Sequence, residues 1–217
     1  MPAPSPSATR AIFLDALGTI VELEPPWVHL AREVEHVEPD ELERAVRQEM
    51  TYYAEHSHEG RDAGSLAALR ARCADILSWE LDREVTVDTM MASIRFRVFE
   101  DVEPALGGLR DRGLRLVCVS NWDISLKEVL DRVGVGAALD GVVTSAEAGA
   151  RKPDPRIFAS ALELAGCSAD EAIHVGDTPA EDVAGAEAAG IRALYLDREG
   201  GGDIASLTEI LAAVDGG

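Results

Sequence analysis

Five residues of this chain have the types and the places for one chemistry: Asp15, Ser120, Lys152, Asp177 and Asp182. Three apolar runs end on polar groups, AIFL on Asp15, LVCV on Ser120 and AIHVG on Asp177. An ionised carboxylate at a strand end can attack an electrophile and carry the transferred group on its oxygen. Ser120 and Asn121 can donate hydrogen bonds to the oxygens of that group. Lys152, in GARKPDP, can neutralise both the nucleophile and the negative charge that develops. In GDTPAED, Asp177 and Asp182 flank a helix start and bring two more carboxylates to a site that already holds one. Like charges in one pocket raise each other's pKa unless a cation balances them. Mg²⁺, which prefers oxygen ligands and keeps its waters, meets that need. The bland alternatives are helix capping for Asp177 and Asp182 and a surface salt bridge for Lys152.

These groups meet only if the chain folds to bring them together. From Arg115 onward short apolar runs alternate with amphipathic stretches, the signature of β-α units and a parallel sheet. LRLVCVS, GVVTS, AIHVGD and IRALYLD read as strands, and AIFLD adds a fifth at the front. ISLKEVLDRVG, PRIFASALELAG and PAEDVAGAEAAG read as the helices between them. The expected fold class is α/β, a doubly wound parallel sheet with an inserted α-helical cap domain. In such sheets ligands bind outside the carboxyl ends of the strands, so Asp15, Ser120 and Asp177 converge on one crevice.

Between Glu22 and Asp101 the strand pattern stops. Leu42, Val46, Met50 and Tyr53 form a helical stripe after Pro39, Asp40 and Glu41, which suit a helix N-terminus. Leu66, Leu69, Cys73 and Ile76 repeat it, as do Val87, Met91, Ile94 and Val98. The expected division is a disordered tail at 1–10, a catalytic core at 11–21 and 102–217, and a helical cap at 22–101. Linkers are expected near Glu24 to Pro26 and Glu100 to Pro104.

Composition narrows the partners. The 217 residues carry a formal net charge of −20, which argues against nucleic acid and anionic membranes. No apolar run approaches the roughly 18 residues of a membrane helix. MPAPSPSATR has neither a basic nor an apolar leader segment, so a cytoplasmic protein acting on a small molecule is expected. Cys73, Cys118 and Cys167 lack C-x-x-C spacing and read as reduced and structural. Lysine occurs only at 127 and 152. His56 and His58 read as a polar helix end, His174 as a packed strand residue, and Arg151 as a loop salt-bridge partner. Trp27 and Trp122 suit either the core or the rim of a substrate entrance.

The order DALGT, VSN, GARKPDP, GDTPAED, with a helical insertion after the first motif, resembles the haloacid dehalogenase superfamily of hydrolases. The resemblance runs from Ala11 to about Asp197. It implies Asp15 as nucleophile, Ser120 as phosphate-oxygen donor and Lys152 as stabilising cation. It also implies that Asp177 and Asp182 hold Mg²⁺ together with the Asp15 carboxylate and the backbone carbonyl of Leu17. Leu17 is the departure. In the superfamily's phosphatases that position is an Asp, which protonates the leaving oxygen and then deprotonates water. Its loss costs about a hundredfold to ten-thousandfold for a poor leaving group.

Three functions follow from the resemblance. The first is a Mg²⁺-dependent phosphatase acting on a small phosphorylated metabolite with a good leaving group. A second is a 2-haloacid dehalogenase-like hydrolase, which resembles DAYGT at the first motif and needs no acid, although the paired acids of GDTPAED count against it. A non-catalytic phosphate-binding or regulatory protein is the third. The phosphonoacetaldehyde hydrolases, which use a cap lysine, are set aside because the inserted segment has none.

Overall fold

Ala11–Leu14 (β1) is an apolar run with both faces covered, and it lies at the centre of the sheet. The computed structural model describes residues 8–216; the expected tail lies outside the described residues up to position 7. After β1 come a short strand, Val21–Leu23 (β2), and four helices, Pro26–Leu30 (α1), Pro39–His56 (α2), Ala63–Glu80 (α3) and Val87–Ser93 (α4). Phe96–Val98 (β3) and Val102–Asp111 (α5) lead back to the sheet. Then Arg115–Ser120 (β4), Leu126–Arg132 (α6), Gly141–Thr144 (β5), Ser145–Ala148 (α7) and Pro155–Ala165 (α8) follow. Ala172–Gly176 (β6), Ala184–Ala188 (α9), Arg192–Tyr195 (β7) and Ile210–Asp215 (α10) complete the order.

The main sheet runs β5-β4-β1-β6-β7, all parallel. The chain fills one side of β1 with β4 and β5, then returns to fill the other with β6 and β7. That reversal puts the crevice over the end of β1. Phe13 stands in register with Val117 and His174, and Leu14 with Cys118 and Val175. Alternate residues therefore face opposite layers. Ile12, Leu14, Leu116 and Cys118 pack with α5, α6 and α10, whereas Phe13, Val117 and Val119 pack with α8 and α9.

The four helices between β2 and β3 enclose a third apolar cluster that includes Leu42, Val46, Leu69, Cys73, Leu77 and Met90. Local chemistry sets their ends. At α3, Asp62 Oδ1 accepts from Ser65 N at 2.8 Å in a capping box. At α2, Pro39 occupies the first turn with Asp40 and Glu41, as its sequence leads one to expect.

Three expectations are corrected. The stretch from Glu22 to Asp101 does contain strands: β2 and β3 pair antiparallel, Val21 with Val98 and Leu23 with Phe96. The stripe Val87, Met91, Ile94, Val98 is correspondingly helical only as far as Ser93, since Ile94 is extended. Ile94, Phe96 and Val98 fit a period of two as well as a helical one, and the partner strand decides between them. On α3 it is Leu77, not Ile76, that is fully buried. Among the described residues no helix is long and apolar enough to cross a membrane.

Candidate active site

Asp15 follows β1 directly and is anchored by its own backbone, with Asp15 N donating to Val175 O at 2.9 Å. The chain then turns through Gly18 at φ 86°, a left-handed conformation that favours glycine. A Cβ at Gly18 would lie 1.9 Å from Asp177 Oδ2, so only glycine lets that carboxylate come so close to the turn. Arg198 holds the same turn from outside. It donates to Gly18 O at 3.2 Å and Thr19 O at 2.8 Å while pairing with Asp101 at 2.9 Å.

Ser120 ends β4, and its Oγ donates to Asp15 Oδ1 at 3.0 Å. Lys152, 2% exposed, places Nζ 2.5 Å from Asp15 Oδ1 and 2.6 Å from Asp182 Oδ1. Asn121 grips the lysine loop by both main-chain groups. Its Oδ1 accepts from Lys152 N at 2.7 Å, and its Nδ2 donates to Lys152 O at 3.1 Å and to Glu181 Oε2 at 2.7 Å. The side chain expected to face the substrate thus also orients Lys152. Arg151 pairs with Glu181 at 3.2 Å, in keeping with the reading of its sequence context.

Asp182 stands in the π-helical turn Pro179–Val183 that precedes α9. It accepts from Thr178 N at 3.0 Å, and its Oδ1 lies 2.8 Å from His174 Nε2. Its carboxyl can sit there because residue 176 is glycine: a Cβ on Gly176 would lie 2.1 Å from Asp182 Cγ. His174 is fully buried, with its ring edge-on to Phe158 at 5.0 Å. Burial lowers its pKa, and among the described residues Nδ1 has no partner, so the neutral ring carries its proton on Nε2 and donates to Asp182. The packed reading of His174 describes its surroundings but misses this contact. No sequence spacing signals it, because the two residues meet only across the end of β6.

The carboxylates of Asp15, Asp177 and Asp182 present oxygens that all lie within 4.8 Å of one another. Burial opposes a charge on Lys152, but Asp15 and Asp182 outweigh it and hold the ammonium above its usual pKa. For Asp182 burial is again opposed, here by Lys152 and His174, and the net direction is downward. Burial raises Asp15, an effect countered by Lys152 at 2.5 Å. With a proton to be placed between one amine and two carboxylates, contacts on both sides of Nζ put it on Lys152 and leave Asp15 ionised.

Asp177 is pushed up to about 6 by burial first, then by Asp15 and Asp182. Its ordinary value is 3.8, so between these values the folded protein binds more protons than the unfolded one. Stability contributed by this group is therefore present at low pH and lost as pH rises through about 6. Asp177→Asn should remove that loss. In EDTA, the variant's Tm should match the wild type near pH ~4 and exceed it near pH ~8. A wild-type advantage at the higher pH would contradict this electrostatic picture.

Above the carboxylates lies a chamber of about 570 Å³, walled on the far side by Val46, Met50, Tyr53, Leu77 and Met91. Leu17 lines it and is 39% exposed, so its side chain is not packed into either layer. Trp122 also lines it, 6% exposed, with its ring 5.3 Å from that of Phe96. Trp27 instead lies under Arg47, 5.1 Å from its ring centroid. Cys73, Cys118 and Cys167 are free thiols.

A family model described as haloacid dehalogenase-like hydrolase matches residues 9–190. The human haloacid dehalogenase-like hydrolase domain-containing protein 3 is 34% identical over 214 residues, covering 86% of this chain and 81% of that protein. Its bovine counterpart is 44% identical over 101 residues, 46% of this chain and 40% of that protein. A phosphoserine phosphatase from Thermus thermophilus is 40% identical over 105 residues, 48% of this chain and 42% of that one. The match to these last two thus spans about two fifths of their length. Among solved structures, an L-2-haloacid dehalogenase from Xanthobacter autotrophicus superposes with a TM-score of 0.75 at 19% identity, covering 96% of this chain and 99% of that one. A HAD phosphatase from Thermococcus onnurineus gives 0.68 at 24%, with 96% and 99% covered. At these identities the structural matches bear on the fold alone.

Proposed function

We propose that this chain, which belongs to the haloacid dehalogenase-like hydrolases, works as a Mg²⁺-dependent phosphatase on a small phosphorylated metabolite with a good leaving group. The observation that carries the reading is a charge deficit. Three carboxylates lie within 4.8 Å of one another, and a single buried lysine stands between two of them. A dehalogenation site has no use for that surplus of negative charge, whereas a divalent cation requires it and, once bound, offsets it for an incoming phosphate. Asp15, Asp177 and Asp182, with the Leu17 carbonyl, would hold Mg²⁺. Bound there, the ion would lower the repulsion between the attacking carboxylate and the phosphate oxygens.

The chain's own residues do the rest. Ser120 and Lys152 both contact Asp15 Oδ1, which leaves Oδ2 for attack on phosphorus. The same two donors, at the ends of β4 and of the lysine loop, stabilise the oxygens of the transferred group. Asn121, His174 and Arg198 orient Lys152, Asp182 and the Asp15 turn in that order. The leaving oxygen receives no proton from Leu17, so the site favours groups that are stable as anions. Residues 22–101 act as the cap over a core of 11–21 and 102–217, and shield the site from bulk solvent while admitting the one water that cleaves the aspartyl phosphate to free phosphate and the Asp15 carboxylate. The names of the partial relatives support the phosphatase part of this reading and not its leaving group, among them the phosphoserine phosphatase and a glyceraldehyde 3-phosphate phosphatase from Methanothermobacter thermautotrophicus, 39% identical over 105 residues.

Hydrolysis of p-nitrophenyl phosphate and chloride release from 2-chloropropionate, each in EDTA and in Mg²⁺, test the reading together. Phosphate release should vanish in EDTA and return with Mg²⁺, and Mg²⁺ should raise Tm because it binds only the folded cluster. Chloride release that persists in EDTA would instead establish the dehalogenase alternative.

A further inference from the structure

The far wall of the chamber contains one carboxylate that the phosphatase chemistry does not use. Val46, Glu49, Met50 and Tyr53 all line the chamber from α2, at spacings that place them on one helix face. Leu77, Met90 and Met91 line it from α3 and α4. Glu49 sits in this apolar surface, 7% exposed, and among the described residues no cation pairs with it. Tyr53, one turn on, is already engaged, since its hydroxyl donates to Asp123 Oδ2 at 2.8 Å. Arg70 and Arg132 reach the same chamber but form no ion pair with Glu49. Burial holds the Glu49 carboxyl above its ordinary pKa, with the Cys73 thiol as the opposing hydrogen-bond partner. A carboxylate held in an apolar wall without a cation is costly, and a guest that brings one offsets the cost.

We propose that Glu49 is a specificity-determining residue that takes the protonated amine of an aryl leaving group whose phosphate lies at Asp15, making amine-bearing aryl phosphates the preferred substrate class. The proposal rests on the phosphatase reading and narrows it. Three features of the chamber converge on the same molecule. The missing acid at Leu17 demands an acidic leaving oxygen, which a phenol has and an aliphatic alcohol lacks. The thioethers of Met50, Met90 and Met91 and the ring of Phe96 suit an aromatic body. Glu49 then supplies a charged acceptor at the end remote from the phosphate. A group in an apolar wall discriminates strongly against a guest that leaves it unpaired.

Two comparisons test it. The first is kcat/KM in Mg²⁺ for 4-(2-aminoethyl)phenyl phosphate against 4-propylphenyl phosphate, which has nearly the same shape and a similar leaving oxygen. Wild type should favour the amine by about tenfold or more, the range expected for a hydrogen bond to a charged group. Glu49→Gln should bring the ratio close to one. Glu49→Asp, which keeps the charge on a shorter arm, should retain part of the preference and serves as the comparison if the Gln variant is poorly folded. The second uses 4-(2-aminoethyl)phenol and 4-propylphenol without phosphate, with binding read by calorimetry in wild type and both variants. The amine should bind more tightly to wild type, and Glu49→Gln should abolish that difference.

If neither phosphate is hydrolysed, the phosphatase reading fails, and the binding comparison alone decides the role of Glu49. Absence of any amine preference in binding would overturn the proposal and leave Glu49 as a buried acid bonded to Cys73. So would a preference that survives in Glu49→Gln, or a stronger preference for a 4-carboxymethyl analogue, which would point to Arg70.

Discussion

Asp15→Asn is expected to lose at least about 10⁴-fold in kcat on p-nitrophenyl phosphate, since removal of a nucleophile leaves only what positioning supplies. The fold should survive. An amide at position 15 can still accept from Ser120 and Lys152, which approach Asp15 Oδ1 at 3.0 Å and 2.5 Å. Lys152 keeps its second carboxylate, Asp182 at 2.6 Å, so no buried charge is stranded. One negative charge fewer among three also relieves repulsion when no cation is bound. The Tm of the metal-free variant should accordingly be at or above that of wild type. Beryllofluoride, which imitates an aspartyl phosphate, should be trapped by wild type in Mg²⁺ and not by Asp15→Asn. Turnover in the variant within tenfold of wild type would end the covalent reading.

Leu17→Asp should produce the opposite kind of change, a gain confined to poor leaving groups. Hydrolysis of alkyl phosphates is expected to rise by about a hundredfold, at the lower end of what a positioned acid contributes. Aryl phosphates should gain much less, because their leaving oxygen departs without a proton. The structure favours the substitution: Leu17 lines the chamber and is 39% exposed, so little packing is lost. A fourth carboxylate beside Asp15, Asp177 and Asp182 will tend to hold a proton, which is the state a general acid needs at the start. The measurement is the ratio of alkyl to aryl hydrolysis in wild type and variant at equal Mg²⁺. If Leu17→Asp folds and binds Mg²⁺ but the ratio does not move, Leu17 is not a vacant acid position. A phosphate-binding or regulatory role then becomes the better account.

Much of this was legible along the chain, and for a local reason. A strand buried on both faces must be an apolar run, and the polar residue that ends it must lie at the sheet's rim. AIFL-Asp15, LVCV-Ser120 and AIHVG-Asp177 therefore announced both the parallel sheet and the ends where chemistry collects. The helical stripes of α2 and α3 were readable in the same way, because their period is a property of neighbouring residues. Other features depend on which distant segment arrives, and spacing carries no record of that. β2 and β3 exist as strands because each supplies the other's hydrogen bonds across the whole helical segment 24–95. Asn121 holds the lysine loop because the Lys152 main chain comes within reach of its amide. His174 acquires a partner only when the turn after β6 folds Asp182 back over Gly176, and Arg198 finds Gly18 and Thr19 from the far end of the chain. Glu49 is the clearest case. In sequence it is one more acid on an amphipathic helix of a strongly acidic protein; burial in the largely apolar wall of the chamber makes it an acceptor in want of a cation. Periodicity decides which face of an element is apolar, whereas the cost of an unpaired charge depends on what packs against it, and only the tertiary structure sets that.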